Sequence, residues 1–140
     1  MRILLPVDGS ACSARAARYV AKHLQVFGKR PTITLVHVDP PLIERITRYV
    51  GPEDLARFHD KNANAALRRA RRILAAAGIP FRERHLVGDT APCIARTVKE
   101  ERSELIVMGS HGRGALKSLL LGSAVSKTLA LTRVAVLVVR

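Results

Sequence analysis

Arg2-Ile3-Leu4-Leu5-Pro6-Val7-Asp8-Gly9-Ser10 decides the fold. Residues 2–7 are almost uninterruptedly apolar, with no alternation that would leave one face to water, so they read as a strand buried on both sides. Asp8-Gly9-Ser10 then supplies a turn. Beyond it, with Ser10 or Ser13 as N-cap, Ala14, Ala17, Tyr19, Val20, Leu24 and Phe27 recur at helical spacing until Gly28 stops the pattern. A doubly buried strand followed by an amphipathic helix is the opening unit of a parallel α/β sheet.

The same alternation continues along the chain. Thr32–Val38 is a β-branched strand closed by Asp39-Pro40-Pro41. In residues 42–52, Leu42, Ile43, Ile46, Tyr49 and Val50 suggest either a short helical turn or a structured loop. Pro52 opens the longest helix, with Glu53 and Asp54 matched to its dipole and an apolar series ending at Gly78. Phe81–Val87 is partly polar and belongs at a sheet edge. Asp89 or Thr90 caps a helix through about Glu101. Leu105–Met108 is a wholly apolar strand, a helix follows near 123–131, and Val134–Val139 is a fifth strand. No linker, low-complexity stretch or internal repeat interrupts the order, so one domain over residues 1–140 is expected. The crossovers of a parallel sheet are right-handed and cover both faces, which makes a three-layer sandwich. In such sheets ligands sit beyond the carboxyl ends of the strands, where strand order reverses.

Composition narrows the classes. The 140 residues are 48% hydrophobic and 25% charged, which argues against disorder, and no apolar run is long enough for a membrane span. The stretch before Asp8 is too short for a secretory core, so a cytoplasmic protein is expected. Cys12 and Cys93 have no C-x-x-C and no histidine at metal-ligand spacing, and both read as small buried thiols. The net charge of +13 attracts nucleic acid, anionic lipid or a nucleotide's phosphates without choosing among them.

Met108-Gly109-Ser110-His111-Gly112-Arg113-Gly114 follows the fourth strand, and Gly122-Ser123 heads the last helix. Glycines let backbone N–H groups approach an anion, and a helix N-terminus adds free donors and a positive dipole end. Ser123 can serve as N-cap or donate to a phosphate, and Arg113 can pair with one. Asp8 can accept from a sugar hydroxyl or a base amine, or merely cap the first helix. Neither G-x-x-x-x-G-K-[ST] nor G-x-G-x-x-G occurs, and G-x-S-x-G is absent, so Walker NTPases, dinucleotide dehydrogenases and serine hydrolases lose support.

Gly109-x-x-Gly112, nine residues, then Gly122-Ser123 resembles the G-2x-G-9x-G-[S/T] signature of the ATP-binding branch of the universal stress protein family. The likeness extends to Ile3–Ser10, Val36-His37-Val38, Leu105–Gly114 and the valine-rich end. It implies a flavodoxin-like, Rossmann-like α/β sandwich with a five-stranded parallel sheet in the order 3-2-1-4-5. It also implies an ATP, with or without Mg²⁺, or an AMP, with adenine near Val7, Asp8 and Val38, ribose near Gly109, and phosphates on Gly112, Gly122 and Ser123. Pro6, Met108, His111, Arg113, Gly114, Ala124 and Val125 complete the implied nucleotide-binding set. Family members are usually homodimers, often joined through the last strand, and an uncovered Val134–Val139 edge would be an aggregation hazard.

Other constellations read as structural. His111 near phosphates donates a hydrogen bond or faces solvent sooner than it shuttles protons, His37 belongs to a strand, and no spacing supports Ser10 as a nucleophile. The expectation is a nucleotide-sensing module of the stress response with no catalytic or metal-ligating residues. A slow ATP hydrolase using Asp8, Asp39 or His111 is the enzyme alternative. A third is charge-driven binding of nucleic acid or a membrane surface. Arg68, Arg69, Arg71 and Arg72 lie within one and a half helical turns, outside the glycine motif; they read as a solvated face or as a patch for an acidic partner.

Overall fold

The computed structural model describes residues 1–112 and 121–140. Its elements run β1 (Arg2–Pro6), α1 (Ala11–Lys22), β2 (Thr32–Asp39), α2 (Glu44–Thr47), α3 (Pro52–Ala76), β3 (Phe81–Val87), α4 (Thr90–Glu100), β4 (Leu105–Gly109), α5 (Ser123–Leu131) and β5 (Ala135–Val139). The strands pair in parallel in the order β3-β2-β1-β4-β5, as the family likeness implies. The partly polar β3 is indeed an edge strand.

Both faces of the central strands are buried, which is why their sequences lack alternation. Ile3, Leu5 and Val7 of the first strand segment join Leu35 and Val107 on one face, under Ala16, Ala17 and Val20 of α1 and Leu67, Ala70 and Leu74 of α3. Leu4, Val36, Ile106 and Met108 point the other way, against Ile94 and Val98 of α4 and Val125 of α5. Truncating one of the buried leucines or isoleucines to alanine would cost about 2–5 kcal/mol.

The helix ends resolve several alternatives. Ser10 is the N-cap of α1, its Oγ accepting the Ser13 N–H at 3.1 Å, and Asp89 is the N-cap of α4. At α5 the N-cap is Gly122, so Ser123 is the first helical residue instead of the cap. The first helix does not run α-helically to Gly28. After Lys22 the chain tightens into a 3₁₀ turn, Leu24–Phe27, that delivers Phe27 into the α1/α3 core before Gly28 turns away at φ 103°. His23 ends α1, with both its backbone N–H and its Nδ1 3.0 Å from the Tyr19 carbonyl oxygen.

Residues 42–52 contain one helical turn, α2, but its apolar stripe finds no core: Ile43, Ile46 and Tyr49 are all exposed, Tyr49 by 88%. The second strand reaches one residue beyond expectation, to Asp39, and the fifth begins at Ala135. Cys93 is buried, whereas Cys12 is only half-buried; both are free thiols. Among the described residues no helix is long and apolar enough to cross a membrane.

Candidate functional site

From β1 the chain moves outward to β2 and β3, then crosses to β4 on the other side of β1, so strand order reverses between β1 and β4. The ladders diverge there. The β1–β2 register runs from Arg2↔Thr32 to Pro6↔Val36, but β1 and β4 pair only at Ile3↔Leu105 and Leu4↔Ile106. Beyond that point the two carboxyl ends part, and a cleft opens between them.

Pro6, Val7 and Asp8 form one wall of this cleft, with Val38 beside them; Met108, Gly109, His111 and Gly112 form the other. Gly122, Ala124 and Val125 close it from the head of α5. Ser123 is not among the lining residues; its side chain is exposed on the first turn. Arg113 and Gly114 lie outside the described residues. Four lining residues escape sequence reasoning: Ser13, Val36, Thr90 and Ile94. A signal for two of them existed. Ser13 and Thr90 sit in the first turns of α1 and α4, and every crossover of a parallel sheet starts at its carboxyl edge. The starts of α1, α4 and α5 therefore all face the cleft, and their free N–H groups and dipoles favour an anion. Val36 and Ile94 are core side chains whose outer ends form its floor.

Asp8 spans the turn. Its Oδ1 accepts the Ser10 N–H at 2.9 Å, while Oδ2 lies toward Gly112, 3.0 Å from where a Cβ on that glycine would be. It thus braces the start of α1 and also faces the cleft. Gly109 is packed under Cys12, and Gly122 under Ser110 and His111. The Gly122 N–H donates to the Ser110 carbonyl at 2.9 Å, and Ser110 N–H donates to Val139 O at 2.9 Å, so the two ends of the glycine-rich stretch are tied to each other and to β5. The His111 Nδ1 is 3.1 Å from Ser110 Oγ.

Behind the first wall lies a polar cluster. The buried His37 holds the Val7 carbonyl through Nδ1 at 2.8 Å, and its Nε2 is 4.0 Å from Asp39 Oδ1. Asp39 Oδ2 takes His59 Nδ1 at 2.6 Å and Asn62 Nδ2 at 2.8 Å. Burial pushes the Asp39 carboxyl upward, but the hydrogen bonds from Asn62 and His59 and the nearby imidazoles outweigh it and hold it below the ordinary carboxylate value. His37 thus braces the Val7 carbonyl from within its strand.

The arginine cluster separates. Arg71 turns to Glu83 of β3, with Nε and a terminal nitrogen each 2.6 Å from a carboxylate oxygen, and reaches Asn64 Oδ1 at 2.9 Å. These bonds, against the opposing effect of burial, hold the Glu83 carboxyl low. Arg71 is therefore engaged within the chain and is removed from the surface expected to meet an acidic partner. The other three arginines remain exposed.

These features define an α/β sandwich with a crevice at its topological switch point, partly apolar inside and rimmed by helix N-termini, suited to a small ligand with an anionic end. The model of the universal stress protein family matches residues 1–140, and the chain belongs to that family. A universal stress protein of Thermus aquaticus, from the 3′ region of QAH/OAS sulfhydrylase, is 34% identical over 143 residues, covering 99% of this chain and 97% of the relative. The solved structure of hypothetical protein MJ0577 is 29% identical with a TM-score of 0.75, covering 99% of this chain and 94% of that one. The universal stress protein from Archaeoglobus fulgidus, solved in complex with dAMP, is 21% identical with a TM-score of 0.70, covering 100% and 98%.

Proposed function

We propose that residues 1–140 form one adenine-nucleotide-binding domain that senses ATP or AMP and takes part in the stress response of the cytoplasm. The observation that carries this reading is the cleft at the β1–β4 switch point, lined by Val7, Asp8, Gly109, Gly112 and Gly122 together with the starts of three helices. The base would lie against Val7, Val38 and Asp8, the ribose near Gly109, and the phosphates over Gly112, Gly122 and the start of α5, with Ser123 at its margin. The dAMP complex of the Archaeoglobus relative supports a nucleotide of this kind. Mg²⁺, where ATP is the ligand, would arrive on its phosphates. A homodimer joined through β5 is part of the same proposal: the strand is apolar, lies at the sheet edge and is only half-covered.

Isothermal titration of the nucleotide-stripped protein with ATP and with AMP tests the reading. Saturable binding of at least one is expected; its absence in a protein with intact circular dichroism overturns it. Sedimentation of the same sample reads the oligomeric state, and a monomer at all concentrations removes the dimer.

A further inference from the structure

Arg68, Arg69 and Arg72 of α3 line a second cleft with Ala65 and with Gly9 of the β1–α1 turn. The turn thus divides two concavities: Asp8 lines the first and Gly9 the second. Helical spacing gathers the three guanidiniums, since 68 and 72 are four apart, 69 and 72 three apart, and Ala65 precedes them by three and four. Ala65 keeps the floor shallow. Gly9 stands on the opposite wall at φ 81°, a conformation that favours a residue without a side chain.

Among the described residues none of these three arginines has a hydrogen bond or ion pair, in contrast to Arg71, which Glu83 and Asn64 hold on another side of the helix. Three unneutralised guanidiniums on one helix face repel one another, and a bound anion would relieve that repulsion. The lining also says which anion. No aromatic ring is present to stack a nucleic-acid base, and no large aliphatic side chain to anchor a peptide. What remains is a dense set of forked N–H donors, whose geometry matches phosphate oxygens.

We propose that this cleft binds a chain of two or more phosphoryl groups. The chemistry has two sources, a free inorganic oligophosphate or the phosphate tail of a nucleotide, and the proposal does not depend on the nucleotide reading of the first cleft. Its consequence is that anion binding and the first cleft act on the two sides of one three-residue turn.

The test is calorimetric titration of the full chain with tripolyphosphate at physiological salt, with and without saturating AMP or ATP. Saturable binding is expected, weakened about tenfold or more by the combined substitutions Arg68→Gln, Arg69→Gln and Arg72→Gln. A control with the same charge loss at the exposed Arg30, Arg45 and Arg48, each changed to Gln, should bind as the parent does. Single Arg68→Gln and Arg72→Gln variants serve should the triple variant melt early. Tripolyphosphate binding that persists beside saturating ATP identifies free oligophosphate. Loss of ATP affinity with unchanged AMP affinity in the cleft variant, and competition of tripolyphosphate with ATP, identifies the nucleotide tail. No saturable tripolyphosphate binding, or equal loss in cleft and control variants, overturns the proposal. Failure of AMP to bind would count against the nucleotide reading alone, because the tripolyphosphate titration is read without it.

Discussion

A Cβ on Gly109 would lie 2.5 Å from the carbonyl carbon of Cys12 and 2.7 Å from its Cβ and oxygen. The end of β4 and the first turn of α1 are thus in contact through backbone, which cannot swing aside as a side-chain tip would. Gly109→Ala must push α1 off the sheet or bend β4, and such overpacking costs about 1–3 kcal/mol. A lower urea midpoint with an unchanged slope is expected. A midpoint equal to the parent's would show that the helix moves freely.

Gly112 makes the opposite case. The nearest atom to its absent Cβ is Asp8 Oδ2, at 3.0 Å, the far end of a side chain. Gly112→Ala should leave stability within about 0.5 kcal/mol of the parent, because a shift of a few tenths of an ångström at a side-chain tip relieves the contact. The displaced carboxylate and the added methyl both alter the cleft, so AMP affinity should fall. Paired thermal melts and AMP titrations separate the two effects, and a large loss of stability with intact affinity would reverse the argument.

These two glycines show what the sequence could tell. Their spacing was legible as a motif, yet the reason Gly109 is a glycine is a contact with Cys12, which lies 97 positions earlier and on no recognisable pattern. The strands were legible because burial on both faces forces unbroken apolar runs, as in Leu105–Val107. Ile46 and Tyr49 gave the helical turn but not its exposure: helical spacing reports local periodicity, and nothing local says whether a stripe meets a core. Ser13 and Thr90 were legible as cap candidates but not as cleft lining, because which side of a first helical turn faces a cleft is set by how the helix packs. The arginine run at 68–72 looked uniform until tertiary structure supplied Glu83 for one member and Gly9 for the others.

Gly122 sits where a Cβ would be 3.1 Å from Ser110 O and 3.2 Å from His111 Cα, and its N–H donates to that same Ser110 oxygen. A β-branched side chain there must open the tie. Gly122→Val should abolish AMP binding and speed hydrogen exchange at the residue 122 amide, while exchange in the β1–β2 ladder stays slow. Unchanged exchange at that amide would show that the tie survives the substitution.

Arg71 and Arg72 are adjacent in sequence and differ in consequence. Arg71→Gln removes a two-pronged, half-buried pair with Glu83 and should cost about 1 kcal/mol, less as salt is raised. Arg72→Gln removes an unpaired charge from a crowded face and should stay within about 0.5 kcal/mol, with any shift toward greater stability at low salt. Urea midpoints at two ionic strengths decide it; equal losses in the two variants would mean that the pair contributes nothing.

Asp39 sets an acid-sensitive part of the stability. Its carboxyl lies below the usual value of 3.8 in the folded chain, because bonds from Asn62 and His59 overcome the effect of burial. The unfolded chain then binds the proton more readily, so this contribution is fully present above the unfolded pKa and is lost as pH falls through the lower, folded one. Asp39→Asn supplies a permanently uncharged amide of nearly the same shape, resembling the protonated acid. The deficit of that variant against the parent should be largest near neutral pH and should shrink steadily as urea midpoints are followed down through the carboxylate range. Glu83 titrates in the same direction, so it contributes to the acid loss of both proteins and cancels in their difference. A deficit that stays constant with pH would mean that the His59 and Asn62 bonds hold Asp39 by shape alone, without favouring its charge.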